Sequence, residues 1–151
     1  MNHAAVRPPF VKPVRSPPSE SSEGHGLDRQ PLRVLIIEDE AVLAMDMEES
    51  LTQAGFEIVG VADSEDEAVS LVGLLRPDLV LMDITLRIGD GIAAAKAIAD
   101  RTRIVFVSAS SDPATLSAAE ALRPLGFIRK PYSGHELPTM LKRMLRLDTG
   151  H

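Results

Sequence analysis

The sequence contains no cysteine, and this absence excludes two kinds of site. Without thiols the chain has neither a disulfide framework nor a thiolate metal centre. No apolar run approaches the roughly 20 residues that cross a bilayer, and nothing near Met1 resembles the apolar core of a signal peptide. We therefore expect a cytoplasmic protein that has no membrane association.

Basic residues are not in excess either, because 16 Lys and Arg stand against 22 Asp and Glu, for a formal charge of -6. Nucleic acids attract clustered Lys and Arg, so direct nucleic-acid binding is disfavoured. No G-x-G-x-x-G pattern follows the first predicted strand, which argues against a dinucleotide-binding domain. With 151 residues, of which 44% are hydrophobic, the chain has room for at most one domain with a sizeable core.

The composition changes near Pro31. Residues 1–30 are rich in Pro and Ser and carry too few apolar groups to offset the entropy of ordering, so we predict a disordered tail. Two interpretations of this tail remain open, an inert extension and a Pro-rich docking peptide. Residues 31–147 are predicted to form the domain and residues 148–151 a flexible C-terminus, with no further domain attached.

From Leu32 onward, strand-like and helix-like segments alternate. The predicted strands are "RVLIIED", "FEIVGVAD", "DLVLMD", "RIVFVSAS" and "GFIRKP". A helical spacing follows the first strand, at Leu43, Met47, Leu51 and Ala54, with Gly55 closing the helix. Five βα units in succession predict an α/β fold with a parallel sheet between two layers of helices.

The helices also carry start signals. Ser64 with Glu67, and Ser133 with Glu136, have the spacing of capping boxes. Asp112 followed by proline predicts the start of the fourth helix. The last helix has an apolar stripe for the core: Leu137, Met140, Leu141, Met144 and Leu145.

Charged and hydroxyl side chains stand where the predicted strands end. In open parallel sheets, ligands bind outside the carboxyl ends of the strands. The residues at these ends therefore converge on one edge of the sheet, although packing alone would leave such groups in solvent. They are Glu38 and Asp39, Asp83, Ser108 and Lys130.

This set of side chains is suited to phosphoryl chemistry. Clustered carboxylates repel one another unless a cation lies between them, and oxygen ligands of this kind suit Mg²⁺. Asp83 at the centre is a candidate nucleophile towards a phosphoryl donor. Ser108 and Lys130 are candidates to hold the transferred oxygens, while small Ala109 leaves room for them.

The sequence from about Pro31 to Leu147 resembles a chemotaxis-type response-regulator receiver domain. The matching pieces are "IIEDE", "LMDITL", "VSAS" and "GFIRKP", in the order and at the spacing of that family. The resemblance implies a flavodoxin-like (βα)5 fold with strand order 2-1-3-4-5. It also implies a single-domain response regulator of a two-component or phosphorelay system, which is a signalling domain and not an enzyme.

Site roles follow from the same resemblance. Asp83 would accept a phosphoryl group from a sensor histidine kinase or a histidine phosphotransfer protein. Glu38 and Asp39 would bind Mg²⁺ together with Asp83 and the backbone carbonyl of Thr85. Ser108 and Lys130 would contact the phosphoryl group, Phe127 would turn inward with Ser108 as the switch, and the Lys130–Pro131 peptide would be cis. The surface of the fourth helix, fifth strand and fifth helix would bind a downstream protein, and phosphorylation-dependent homodimerisation stays open.

Two departures and two alternatives accompany this hypothesis. Arg87 stands where receivers often have proline, and Ser108 replaces the more usual threonine. One alternative is a pseudo-receiver, an interaction module that is never phosphorylated. The other is a Mg²⁺-dependent enzyme of the haloacid-dehalogenase-like phosphatase or Toprim type. Both enzyme types need an acid two residues after the strand-end Asp, where this chain has Thr85.

Overall fold

The computed structural model describes residues 10–11, 30–86 and 89–149, with only the backbone at 10–11 and 147–149. Its strands are β1 (Phe10–Val11), β2 (Arg33–Ile37), β3 (Glu57–Ala62), β4 (Leu79–Asp83), β5 (Arg103–Ser108) and β6 (Gly126–Arg129). Its helices are α1 (Ala41–Gln53), α2 (Glu65–Leu75), α3 (Gly91–Ile98), α4 (Pro113–Glu120) and α5 (Glu136–Thr149). Within these described ranges, no helix is both long and apolar enough to cross a membrane.

The six strands form one sheet in the order β1-β3-β2-β4-β5-β6. The five strands from β2 to β6 are parallel, and their order is the predicted 2-1-3-4-5. The α/β doubly wound fold is thus confirmed. One apolar cluster joins the sheet to α2, α3 and α4, and a second joins the opposite face to α1 and α5.

The helix starts follow the predicted chemistry. The Ser133 hydroxyl accepts a hydrogen bond from the Glu136 amide at 3.3 Å, and the Glu136 carboxylate accepts one from the Ser133 amide at 3.1 Å. The Ser64 hydroxyl accepts from the Glu67 amide, whereas the Glu67 carboxylate accepts from Asp63, one residue earlier than in a standard capping box. These bonds satisfy amides that have no partner within the helix.

In α1 the inward face is the predicted one at Met47 and Leu51 and differs at its first position. The buried residues are Ala44, Met47 and Leu51, whereas Leu43 is only half-buried. Both sets have helical spacing, so periodicity alone did not distinguish Ala44 from its larger neighbour. The Gly55 that follows has a φ of 102°, a conformation that glycine adopts without steric cost.

Two segments outside the predicted domain have regular structure. Phe10–Val11, inside the predicted N-terminal tail, pairs antiparallel with β3, with Phe10 opposite Val61; disorder of the tail stays a prediction. Without β1, β3 would be an edge strand with unpaired backbone groups. The composition of residues 1–30 does not indicate which segment pairs with those groups. The rest of the predicted tail, apart from Gln30, lies outside the described residues. At the other end, α5 continues to Thr149 because Asp148 and Thr149 do not break a helix as Gly or Pro does.

Candidate functional site

The carboxyl ends of β2 and β4 meet where the strand order reverses. β2 has β3 on one side and β4 on the other, and the helices that follow β2 and β3 cover opposite faces of the sheet. Glu38 directly follows β2, and Asp83 is the last residue of β4. Ser108 ends β5, and Lys130 directly follows β6. The predicted residues therefore share one edge of the sheet.

Lys130 contacts two of the acids. Its Nζ lies 3.1 Å from Glu38 Oε1 and 3.3 Å from Asp83 Oδ2. Both carboxylates are almost completely buried, with side-chain exposures of 1% and 6%, whereas that of Lys130 is 18%. Buried charges are unfavourable unless they are paired, so the ammonium offsets part of the cost of burying two like charges together.

The pKa values of Glu38 and Lys130 reflect opposing effects. Burial raises the pKa of Glu38 above its usual value, and the nearby charge of Asp83 raises it further, against the hydrogen bonds from the Glu40 amide and Lys130. Burial alone would lower the pKa of Lys130, but its hydrogen bond to Glu38 and the negative charges of Asp83 and Glu38 raise it overall. Lys130 therefore stays protonated at neutral pH.

Three carboxylates at this edge have the chemistry of a magnesium site. One oxygen from each of Glu38, Asp39 and Asp83 can be chosen so that all three lie within 4.8 Å of one another. Acidic clusters are common on protein surfaces, but Glu38 and Asp83 are buried. An all-oxygen, negatively charged set suits hard cations such as Mg²⁺, which binds through a few carboxylates and keeps several waters.

Backbone amides hold the remaining carboxylate oxygens. Glu38 Oε2 accepts a hydrogen bond from the Glu40 amide at 3.1 Å, and Asp83 Oδ1 accepts one from the Thr85 amide at 3.0 Å. These bonds fix the orientation of both side chains. Beside them lies an open cleft of about 280 Å³, lined by Asp39, Glu40, Asp83, Thr85, Leu86, Ala109 and Lys130.

Ser108 lies farther along the same edge, whereas Phe127 lies inside β6, opposite Phe106 of β5. Ser108 follows Val107, which is opposite Asp83 in the sheet, and its hydroxyl accepts a hydrogen bond from the Ser110 amide at 2.9 Å. The Phe127 ring stacks on Phe106 at 5.7 Å between centroids and is 37% exposed. Both Ser108 and Phe127 line a cleft of about 410 Å³ beside α4. The cis Lys130–Pro131 peptide is as predicted.

Two further residues at the site were not identified from the sequence. Gly91, the first residue of α3, is buried so close to the backbone carbonyls of Asp83 and Ile84 that a Cβ would collide with them. Tyr132 places its hydroxyl in a buried position with no hydrogen-bond partner among the described residues. Burial, with the charges of Glu38, Asp46 and Asp83, raises the pKa of Tyr132 to about 12. The predicted role of Arg87 lies outside the described residues.

The sequence matches a known protein family. The family model of the response regulator receiver domain matches residues 34–142. The chain belongs to this family. Transcriptional regulatory protein PdtaR from Mycobacterium tuberculosis is 42% identical over 109 residues, which cover 71% of this chain and 53% of that protein. This chain thus spans about half the length of that relative.

Other receivers match over nearly their whole length. Chemotaxis protein CheY from Thermotoga maritima is 34% identical over 115 residues, 74% of this chain and 96% of CheY. The signal receiver domain of a modulated diguanylate cyclase from Desulfovibrio desulfuricans superposes with a TM-score of 0.69 at 31% identity, over 78% of this chain and 92% of that one. The chain is therefore a response-regulator receiver of two-component signalling, as the motifs predicted.

Metal binding can be tested through stability. A ligand at about 100 times its Kd stabilises the folded state by about 2.7 kcal/mol, so we expect Mg²⁺ to raise the free energy of unfolding. Asp39→Asn removes one carboxylate of the cluster and should reduce this increase. The matched control is Glu49→Gln, which neutralises an exposed acid of α1. Urea unfolding with and without Mg²⁺ measures the effect, and an equal response of the two variants would contradict the assignment.

Gly91 provides a second test of the site geometry. Gly91→Ala should destabilise the receiver by about 1 to 3 kcal/mol, because the new methyl group collides with the Asp83 and Ile84 carbonyls. Gly73→Ala, at an exposed position inside α2 with only a distant Arg101 contact, should instead stabilise it by about 0.5 to 1 kcal/mol. Thermal or urea unfolding compares the two. A Gly91→Ala variant that is as stable as the wild-type protein, or more stable, would be inconsistent with the close approach of α3 to the Asp83 and Ile84 carbonyls.

Proposed function

We propose that the receiver accepts a phosphoryl group on Asp83 in a reaction that depends on Mg²⁺, and that this controls a protein-binding surface. The observation that carries the proposal is the environment of Asp83. It lies at a strand end with Lys130 Nζ at 3.3 Å and with two further carboxylates close enough to share a cation. An interaction module without phosphoryl chemistry has no need to bury these charges at one edge.

In the proposed reaction, a carboxylate oxygen of Asp83 attacks the phosphorus of a phosphohistidine. The new P–O bond forms as the P–N bond breaks, and the departing imidazole carries the bonding electron pair and takes up a proton. Mg²⁺ bound by Glu38, Asp39, Asp83 and the Thr85 carbonyl would neutralise charge on the transferring oxygens. Lys130 supplies a point charge that the structure already directs at Asp83.

The proposed switch involves Ser108 and Phe127. In the structure the Ser108 hydroxyl accepts from the Ser110 amide and Phe127 is partly exposed, an arrangement suited to the unphosphorylated state. A phosphoryl group on Asp83 would draw the Ser108 hydroxyl towards it as a donor. The cleft that Ser108 shares with Phe127 gives the aromatic ring room to follow.

The output surface would be formed by α4, β6 and α5, which are the predicted fourth helix, fifth strand and fifth helix. α4 is loosely attached, since Ala119 is its buried residue, so its position can change at low cost. The proposed donor is a sensor histidine kinase or a histidine phosphotransfer protein. Phosphorylation-dependent dimerisation and a cytoplasmic location stay predictions.

Asp83→Asn tests the acceptor. We expect the wild-type protein with Mg²⁺ and a small phosphoryl donor such as acetyl phosphate to gain the mass of one phosphoryl group, and Asp83→Asn to gain none. Asp63→Asn is the matched control, because Asp63 is an exposed acid directly after β3, at the same edge of the sheet but two strands away from β4. Intact-protein mass spectrometry provides the measurement.

Two outcomes would count against this proposal. Labelling that persists in Asp83→Asn would mean that another residue is the acceptor. A wild-type protein that takes no label, and whose amide spectrum does not respond to beryllofluoride with Mg²⁺, would be a pseudo-receiver.

Ser108→Ala tests the switch separately from the acceptor. This variant should still be labelled but should lose about 1.5 to 3 kcal/mol of the free energy that favours the active conformation, the usual contribution of a hydrogen bond to a charged group. Amide and aromatic NMR shifts at Phe127, followed with beryllofluoride, measure the change. Ser108→Thr should restore it, and exposed Ser111→Ala should have no effect. A full Phe127 response in Ser108→Ala would rule out the hydroxyl as the trigger.

A further inference from the structure

The end of the loop that follows Asp83 is tied to α2. Glu65, the first residue of α2, accepts a hydrogen bond at 3.0 Å through Oε1 from the Asp90 backbone amide. The two residues are 25 positions apart in sequence. This bond connects the β3–α2 turn to the residue that caps α3.

The end of this loop, at Gly89, also packs tightly against Glu65. Gly89 has a φ of 91°, which glycine tolerates and larger residues rarely adopt. A Cβ at this position would collide with the Cβ of Glu65 and lie 2.9 Å from its Oε1. Close packing at Gly89 and the hydrogen bond from Asp90 therefore both place this short segment against the side chain of Glu65.

Asp90 in turn leads to the acceptor. Its Oδ1 accepts a hydrogen bond from the Ile92 amide at 2.9 Å and so caps α3. The next residue, Gly91, donates its amide to the Ile84 carbonyl at 3.1 Å and lies directly against the carbonyl of Asp83. A displacement of Asp90 would therefore reach the backbone of Asp83 within one residue.

The backbone that carries Glu65 is held in place by hydrogen bonds. The first turn of α2 is held by the Ser64 and Glu67 bonds described above. The preceding strand is joined to the site, because the Glu38 amide donates to the Ala62 carbonyl at 2.9 Å. Glu65 is thus fixed relative to the strand ends that carry the acids.

We propose that Glu65 is a positioning residue for the segment of residues 89–91, which packs against the backbone of the acceptor Asp83. By holding Asp90 it sets the backbone from Asp83 to Thr85, on which metal binding by the Asp83 carboxylate and the Thr85 carbonyl depends. Glu65 would touch neither the metal nor the phosphoryl group and would act through Asp90 and Gly91. The proposal rests on the proposed function and adds a residue from outside the motifs that define the acceptor site.

Three variants separate the hydrogen bond from the charge. Glu65→Ala removes both, whereas Glu65→Gln removes the charge and keeps an oxygen acceptor at the same reach. Asp66→Ala is the matched control for charge. Asp66 is exposed, lies in the same first turn of α2, and makes no side-chain hydrogen bond within the described part of the chain. Any effect of charge on the helix dipole should appear in both Ala variants.

The first readout is hydrogen exchange of the Asp90 amide in the metal-free protein. We expect exchange about tenfold faster in Glu65→Ala, the factor that corresponds to about 1.4 kcal/mol, and near-wild-type exchange in Glu65→Gln and Asp66→Ala. The second readout is Mg²⁺ affinity by titration. Loss of a group that hydrogen-bonds directly to a metal ligand typically weakens metal binding by about 10-fold to 100-fold. Glu65 acts one step farther out, through Asp90, so we expect a loss near the lower value in Glu65→Ala alone.

The outcomes distinguish this proposal from the proposed function. Equal Asp90 exchange in Glu65→Ala and Asp66→Ala would overturn the positioning role, as would a Glu65→Gln variant that is as impaired as Glu65→Ala. Faster Asp90 exchange with unchanged Mg²⁺ affinity would also overturn it, because the bond would then not reach the site. A wild-type protein that binds Mg²⁺ but takes no phosphoryl group would refute the proposed function and leave both readouts for Glu65 interpretable.

Discussion

One ammonium group connects the ends of three strands in this receiver. Lys130, directly after β6, bonds Glu38 after β2 and Asp83 at the end of β4. If no cation lies between them, two neighbouring buried carboxylates repel each other, and protonation of one is favoured. The ammonium of Lys130 offsets part of the cost of burying the two carboxylates together, and both metal binding and nucleophilic attack use the charged form of a carboxylate. The rest of the site is arranged around this contact.

The sheet topology brings these groups together. Lys130 is 92 residues from Glu38 and 47 from Asp83 in sequence, so no local structure could juxtapose them. β2 lies inside the sheet, and the two helices that follow β2 and β3, α1 and α2, cover opposite faces. Because these helices diverge at the carboxyl end of β2, they leave a crevice there. The apolar residues of the central strands are almost fully buried. Their packing fixes the position along each strand at which the polar residues begin.

The sequence was informative where a local rule determines the structure. Strand ends placed Glu38, Asp83 and Lys130 at one edge, since parallel strands that alternate with helices all point the same way. Capping chemistry placed the start of α5 at Ser133 and Glu136. The sequence was uninformative where a contact joins distant segments without periodicity. The bond from Asp90 to Glu65 and the pairing of Phe10 with Val61 belong to this class. In both contacts, the types of the two residues do not identify which residue each one pairs with.

The energetics of the proposed switch place a limit on what Ser108 can do alone. In the unphosphorylated arrangement its hydroxyl accepts one neutral hydrogen bond from Ser110, worth about 0.5 to 1.5 kcal/mol, and a bond to a phosphoryl oxygen would contribute about 1.5 to 3 kcal/mol. The difference is far below the roughly 5.5 kcal/mol that converts a 1:99 equilibrium into 99:1. Under the proposed function, other contacts must therefore also differ between the two states. Lys130 is the group best placed to supply them, because a phosphoryl group on Asp83 would compete with Glu38 for the same ammonium.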